Sequence, residues 1–176
     1  MNAPRFSGPR ISKVPTPPEA IQRAALARID FSDGYRAYLP GKPVTALDCA
    51  QAMFAQPPGF VRALMALRNA AVAPFGLKPP ERLHSGGDAA RVGMFPLLFH
   101  TNDEALFGGD DRHLDFRIWI GVSADDAGCR LTLSTLVQLH NGAGRLYLSV
   151  VMPFHRLLSR VMLARALRRL ADAPRD

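Results

Sequence analysis

Three residue types that can do chemistry together alternate along one short segment: His113, Asp115 and Arg117. If the segment is a strand, these side chains share a face and successive members lie about 6–7 Å apart. A carboxylate and a guanidinium at that spacing can pair, and a neighbouring histidine can shuttle a proton or orient a ligand carboxylate. The trio therefore predicts the polar end of a ligand cavity. A surface ion pair on an exposed strand is the alternative interpretation.

Other chemical motifs are weak. The histidines are dispersed at positions 84, 100, 113, 140 and 155, and His113-x-Asp115 is the one close histidine–carboxylate pair. Zinc sites need three or four convergent ligands, and neither HExxH nor paired CxxC occurs. No GxSxG, GxGxxG or P-loop is present either. We therefore predict no metal site, no cofactor and no nucleotide binding.

The trio lies in the third of four segments whose hydrophobicity alternates with a period of two, as in strands. These segments are Arg91–Thr101, Ala105–Gly108, His113–Val122 and Cys129–His140. Short polar turns separate them, which predicts antiparallel hairpins. Trp119 shares the face of the trio, and the opposite face is apolar.

Helices and one further strand precede these hairpins. Pro17 and Pro18 open a short helix from Glu19 to about Arg28, and a strand follows at Asp30–Leu39. Thr45 with Asp48 resembles a capping box and predicts a helix to about Ala55. A second helix is predicted over Gly59–Phe75, with Phe60 and Leu64 on its apolar face and Arg62 off that face. Residues 76–89 are predicted to be a loop.

The C-terminal segment Arg145–Ala171 carries an apolar stripe at helical spacing: Tyr147, Val151, Phe154, Leu158 and Val161. We predict one long helix kinked at Pro153, with His155 tethering the kink. The alternative is a sixth strand at Arg145–Met152 and a helix that begins at Pro153. Because Arg165 and Arg169 replace the apolar stripe, the last two turns are predicted to project past the sheet.

The order of elements predicts an α+β fold of the helix-grip type, in which a curved antiparallel sheet wraps around the C-terminal helix and two shorter helices close one end. Residues 1–28 are predicted to be a proline-rich basic arm with a short helix, and 29–176 a single domain. The net charge of +7 resides in the two ends of the chain. No nucleic-acid motif accompanies this charge, so we predict a solvated basic surface and no nucleic-acid partner.

Targeting features are weak as well. No apolar run reaches the ~18–20 residues of a bilayer span, and the N-terminus lacks the apolar region of a signal peptide. Cys49 and Cys129 stand apart from each other in the sequence. A disulfide between them is one alternative. Two isolated thiols are more typical of a reducing compartment, so we predict a cytoplasmic location.

Three stretches of the sequence resemble those of a bacterial protein family that is classified as a domain of unknown function. The stretches are FVRALMALRN (Phe60–Asn69), GGDDRHLDFRIWI (Gly108–Ile120), and Asn141 followed by GRLYLSVVMPFHRLL (Gly144–Leu158). Phe60 stands where that family usually has tryptophan. The family is similar to the START-like, helix-grip (SRPBCC) superfamily of ligand-binding proteins and cyclases. The resemblance covers about Ile29 to Leu170 and implies a fold and a cavity, without a reaction.

The leading hypothesis is a protein that binds a small hydrophobic or amphipathic ligand between the sheet and the C-terminal helix. Its predicted ligand-binding residues are His113, Asp115, Arg117, Trp119, Tyr147, Phe154 and Arg62. One alternative is a cyclase-, lyase- or hydrolase-like enzyme of a hydrophobic substrate, with His113 and Asp115 as acid and base. Another is a non-catalytic interaction module that uses the basic C-terminal helix, through which a homodimer is also possible.

Overall fold

The structure is a computed structural model that describes residues 10–41, 43–56, 59, 90–125 and 127–172. The helices and strands of the described residues are, in chain order, β1 (Ile11–Val14), α1 (Pro18–Ala24), β2 (Phe31–Pro40), α2 (Ala46–Phe54), β3 (Arg91–Val92), β4 (Phe95–His100), β5 (Glu104–Asp110), β6 (Leu114–Asp125), β7 (Gly128–Leu139) and α3 (Gly142–Asp172).

The strands form one antiparallel sheet in the order β1-β2-β7-β6-β5-β4-β3. Successive strands from β3 to β7 pair as hairpins. The earlier strand β2 pairs with β7, and β1 pairs with the other side of β2. This curved, open sheet with one long C-terminal helix and two shorter helices confirms the predicted α+β architecture.

Each face of the sheet has its own hydrophobic core, because alternate strand residues point to opposite faces. Ile120 and Leu133 are buried with Leu163 of α3 and residues of α2. Trp119 is buried on the other side beneath Ala20 of α1. We call the face that carries α2 and α3 the concave face and the face that carries α1 the convex face.

The C-terminal helix is continuous through Pro153. Residues 145–152 are therefore helical, which confirms the favoured alternative over a sixth strand. A proline inside a helix removes one backbone hydrogen bond. Packing of the second half of α3 on the sheet and on α2 compensates for that loss.

The predicted apolar stripe of α3 is confirmed in part, because Leu158 packs against the concave core and Val151 and Val161 are half-buried. Phe154 is exposed, and the buried side chains in the second half of the helix are Ser159, Met162, Leu163, Ala166 and Leu167. The last two turns contact α2 instead of projecting past the sheet. Arg169 donates to the carbonyl of Ala52 at 3.2 Å and to Oε1 of Gln56 at 3.1 Å. Apolar spacing alone did not identify α2 as the partner that decides which side is buried.

The capping box is confirmed, because Thr45 Oγ1 accepts from the Asp48 amide at 3.1 Å and Asp48 accepts from the Thr45 amide at 2.9 Å. The single strand predicted at Arg91–Thr101 is instead two strands. Gly93 turns the chain with a φ of +60°, and a Cβ there would collide with the carbonyl of Phe54. A side chain at this position would therefore be strained and would clash.

The first helix is shorter than predicted. It ends at Ala24 because Ala25 takes the left-handed conformation, with a φ of +50°. The helix predicted at Gly59–Phe75, with Phe60, Arg62 and Leu64, and the loop at 76–89 lie outside the described residues, apart from Gly59.

Candidate functional site

His113 is buried just before β6, and both of its ring nitrogens have partners. Arg112 Nε donates to Nε2 at 2.7 Å, and Nδ1 lies 3.1 Å from Asn141 Oδ1. This arrangement fits the tautomer with its hydrogen on Nδ1. The same Asn141 oxygen accepts from the Gly144 amide at 3.1 Å, as an N-cap residue does. His113 therefore braces the start of α3.

Asp115 and Arg117 lie on the convex face, and each has a partner outside the trio. Asp115 Oδ1 lies 3.0 Å from His140 Nε2. Arg117 Nη1 lies 2.5 Å from Asp110 Oδ1. Asp115 and Arg117 therefore pair with neighbouring segments and not with each other. The register places Asp110 of β5 opposite Asp115, and Arg117 reaches Asp110 from two residues further along β6.

The other predicted ligand residues are spread over different surfaces. Trp119 packs beneath α1 on the convex face, Tyr147 is half-buried on α3, and Phe154 is exposed. The structure does not bring these side chains together with His113, Asp115 and Arg117 at one place. Their role in ligand binding stays a prediction.

A polar group that the sequence analysis did not assemble lies between the concave face and α3. Asp33 of β2 is only 5% exposed, and its Oδ1 lies 3.2 Å from Nε2 of His155. Ser159 Oγ, one helical turn further on, lies 3.4 Å from the same nitrogen. Tyr35 is buried two residues along β2, on the same face. We call Asp33, Tyr35, His155 and Ser159 the Asp33 cluster.

The register of the sheet fixes the position of this cluster. Asp33 lies opposite Thr135 of β7, which lies opposite Ile118 of β6. His113 is five residues before Ile118 along the chain, which corresponds to roughly 17 Å along an extended strand. The Asp33 cluster and the capping network of His113 are therefore separate features.

A cleft of about 460 Å³ opens beside Asp33, and its lining residues are Lys13, Val14, Pro15, Thr16, Ser32 and Asp33. These residues come from the end of β1, the linker to α1 and the start of β2. β1 ends at Val14, opposite Gly34. A Cβ on Gly34 would lie 2.8 Å from the Val14 carbonyl oxygen, so glycine allows the linker to cross β2 closely and form the wall of the cleft.

Two buried polar atoms of residues that line the cleft, Asp33 Oδ2 and Thr16 Oγ1, have no hydrogen-bond partner within the described ranges. A buried donor or acceptor without a partner costs about 1–3 kcal/mol, and native proteins contain few of them. Two residues that line the cleft, Asp33 and Thr16, thus each carry a buried polar atom without a partner among the described residues.

Electrostatics at the cluster favour a protonated tyrosine beside the carboxylate. Burial raises the pKa of Tyr35, and the nearby negative charge of Asp33 raises that pKa further, whereas Arg160 and Arg156 oppose the shift. Tyr35 therefore remains a neutral phenol at physiological pH.

The cluster is arranged for hydrogen bonding and lacks the geometry of a nucleophilic relay. In a relay the carboxylate and the hydroxyl contact different ring nitrogens, whereas Asp33 and Ser159 both approach Nε2 of His155. In the described part of the chain, no three histidine, cysteine or acidic side chains converge to hold a metal ion.

Cys49 and Cys129 are both buried. Burial is the main cause that raises the pKa of Cys49 to about 12. Because the thiolate is the reactive form of cysteine, this thiol is a poor nucleophile at physiological pH.

One signal in the sequence marks Asp33. The concave-face positions of β2 are Phe31, Asp33, Tyr35, Ala37 and Leu39, so a carboxylate interrupts an otherwise mostly apolar row. A charged residue in such a row is rarely buried without a reason. His155 was predicted to tether the kink of α3, and the structure shows that its partner is a side chain of β2. The sequence could not pair two residues that lie 122 positions apart.

The fold and the site define an α+β protein in which a polar cleft lies beside the contact between the sheet and the C-terminal helix. Residues 25–162 match the family described as "Protein of unknown function (DUF2867)", and the chain belongs to that family. The match includes Asp33, His155 and Ser159. A search of the curated proteins finds no match. None of the described helices is long and apolar enough to cross a membrane.

Proposed function

We propose that this protein binds a small amphipathic molecule in the cleft beside the Asp33 cluster. The observation that carries the proposal is Asp33 itself, a 5% exposed carboxylate with one oxygen on His155 and the other without a partner within the described ranges. A buried charge is costly unless it is paired and hydrogen-bonded. A bound molecule that donates a hydrogen bond to Oδ2 would remove that cost.

The cleft indicates the chemistry of its ligand. Asp33 accepts hydrogen bonds, so the ligand would present a hydroxyl, an amine or another N–H group to it. Thr16 adds a hydroxyl, and Val14 and Pro15 supply an apolar wall. A few placed polar groups beside an apolar wall are typical of small-molecule sites, and a volume of about 460 Å³ lies within the usual range for them.

The resemblance to the START-like, helix-grip superfamily supports the same proposal, since proteins of that superfamily hold ligands between a curved sheet and a C-terminal helix. Here the described cleft lies at the β1–β2 side of that helix. An enzyme that uses His113 and Asp115 as acid and base has less support. The structure pairs Asp115 with His140, and it places His113 in the cap of α3.

The test is native mass spectrometry of the full chain purified from its own host. We expect the parent protein to carry a small-molecule adduct. Asp33→Asn should reduce its occupancy roughly tenfold or more, because losing one hydrogen bond to a charged group costs about 1.5–3 kcal/mol. Without ligand, the melting temperature of Asp33→Asn should equal or exceed that of the parent, because a buried carboxylate oxygen without a partner has been neutralised.

Asp115→Asn is the matched control, because Asp115 also contacts a histidine but lies on the convex face. It should retain the adduct and change the free energy of unfolding by under ~1 kcal/mol. An adduct held equally by the parent and by Asp33→Asn would contradict the proposed site. A parent protein without any adduct, together with a lower melting temperature in Asp33→Asn, would assign Asp33 a purely structural role.

A further inference from the structure

The first half of α3 exposes a row of large apolar side chains: Leu146, Val150, Phe154 and Leu157. Their exposed fractions lie between 43% and 61%. The spacing of i, i+4, i+8 and i+11 places all four on one side of a helix with 3.6 residues per turn. This side is opposite to Ser159 and Met162, which are buried against the rest of the protein. The row therefore faces away from the sheet.

The charged side chains of α3 beside this row are all basic. Arg145, Arg156 and Arg160 are exposed on the same helix, and the sole acidic residue of α3 is Asp172 at its end. With Val150 as reference, Arg160 lies about 80° around the helix and Arg156 about 120° in the same direction. Long arginine side chains can extend from such flanking positions while their stems cover apolar surface. Arg145 lies about 140° from Val150 and close enough to Asp30 to help lower the pKa of that carboxylate. We call the four apolar residues together with Arg156 and Arg160 the α3 surface.

We propose that the α3 surface docks on the face of an anionic lipid bilayer. Helices that lie in a membrane interface combine an apolar side, which enters the boundary between headgroups and acyl chains, with flanking basic residues that bind anionic headgroups. The α3 surface has both features, since its apolar row faces outward and its arginines extend from one flank of the row. An anionic bilayer fits both the apolar row and the arginines, because it offers an apolar layer and negative charge along the whole length of the row.

Charge argues against a second copy of this chain as the occupant. Antiparallel self-association through the row would place the arginine flank of one copy along the arginine flank of the other, and like charges at an interface are repulsive. A bilayer that contains anionic lipid carries charge of the opposite sign. The apolar row is on the outer side of α3, whereas the Asp33 cluster is on its inner side, so docking through the row does not require ligand binding in the cleft.

The test is co-sedimentation of the full chain with vesicles of phosphatidylcholine alone or of phosphatidylcholine with phosphatidylglycerol. We expect stronger binding to the anionic vesicles and weaker binding as salt rises. The double variant Phe154→Ser/Leu157→Ser should bind roughly tenfold or more weakly, because two apolar side chains no longer enter the interface. The variant Arg156→Gln/Arg160→Gln should bind anionic vesicles about tenfold more weakly than the parent, and its binding to neutral vesicles should change little.

Leu98→Ser is the matched control, because Leu98 of β4 is 47% exposed and lies outside α3. It should bind anionic vesicles like the parent, and so should Asp33→Asn, whatever its effect on a ligand. Melting temperatures verify that each variant is folded. Absence of vesicle binding, or equal binding by the parent and the Phe154→Ser/Leu157→Ser variant, would overturn the proposal. Sedimentation of a dimer that this variant abolishes, without vesicle binding, would assign the surface to a second copy.

Discussion

Asp33 and Asp115 each hold a histidine at close to 3 Å, at 3.2 Å from His155 and 3.0 Å from His140. Their surroundings differ, however. The second oxygen of Asp33 is buried and lacks a partner in the described part of the chain, whereas the Asp115 side chain is partly exposed on the convex face. The same two residue types therefore define a candidate ligand contact in one place and a surface pair in the other.

At the scale of single residues, Asn141→Ala should destabilise the protein. Asn141 caps α3 through the Gly144 amide and also contacts His113 and the carbonyl of Arg112. Loss of an N-cap side chain costs about 0.5–2 kcal/mol, and we expect the upper part of that range because His113 loses a partner too. Urea unfolding measures the change.

Ser149→Ala provides the control for Asn141→Ala. Ser149 is exposed on α3 and donates to the Arg145 carbonyl within its own helix. Its replacement should change the free energy of unfolding by under ~0.5 kcal/mol. Equal effects of the two substitutions would contradict the bracing role of Asn141.

At the scale of elements, α3 has two halves with different environments. Its second half is packed against α2 and the sheet, and Leu163, Ala166 and Leu167 are fully buried there. Its first half exposes an apolar row. The apolar side of the first half and that of the second half point in different directions around the helix axis. The helix as a whole therefore has neither the uniform hydrophobicity of a buried helix nor the single apolar side of an ordinary surface helix.

Leu167→Ala and Leu157→Ala test this assignment within one helix. Leu167 is 0% exposed, and truncating a buried leucine costs about 2–5 kcal/mol. Leu157 is 61% exposed, so its truncation should change the free energy of unfolding by less than ~0.5 kcal/mol. Chemical denaturation of both variants gives the comparison. A larger loss from Leu157→Ala would reverse the orientation of the helix.

At the scale of the whole molecule, one carboxylate joins the start of β2 to the end of β7 just before α3. Asp30 Oδ2 accepts from the Leu139 amide at 2.7 Å and from Arg28 Nε at 2.9 Å. The Leu139 amide, followed by Arg28, lowers the pKa of Asp30 from its ordinary value of 3.8. A lowered pKa in the folded state means that the ionised form stabilises the fold.

The stability that Asp30 contributes is therefore complete above pH 3.8 and is lost as the pH falls through its lower folded-state pKa. Asp30→Asn should be less stable than the parent at neutral pH, and the difference should shrink as the solution is acidified below pH 3.8. Urea unfolding at a series of pH values measures the difference. A gap that is constant with pH would show that the charge of Asp30 does not contribute.

Much of the fold was predictable because local rules decide it. The capping box at Thr45 and Asp48 predicted the start of α2, composition and a Pro-Gly turn predicted β2, and alternation predicted β6 and β7. Two strand predictions failed: β1 lies in the segment predicted to be a proline-rich arm, and Gly93 divides one predicted strand into two. The turn at Gly93 is required partly by the carbonyl of Phe54, a contact that is distant in sequence.

The site was less predictable because its members come from separate elements. The trio at His113, Asp115 and Arg117 was chosen for its proximity in sequence, yet its members pair with Asn141, His140 and Asp110. Register and the ends of neighbouring strands decide such pairs. Spacing within one strand states only which side chains share a face.

The sequence by itself determined the α+β class, the order of the hairpins and a long C-terminal helix, since the hydrophobic period and turn residues act over a few neighbours. The tertiary structure decided which side of α3 is buried and that Asp33 meets His155 across the boundary between sheet and helix. The hydrophobic period fixes the spacing of the apolar side chains but does not determine which neighbouring element they face. For α3 the neighbouring elements are α2 and the sheet, and they come next to the helix only when the chain folds.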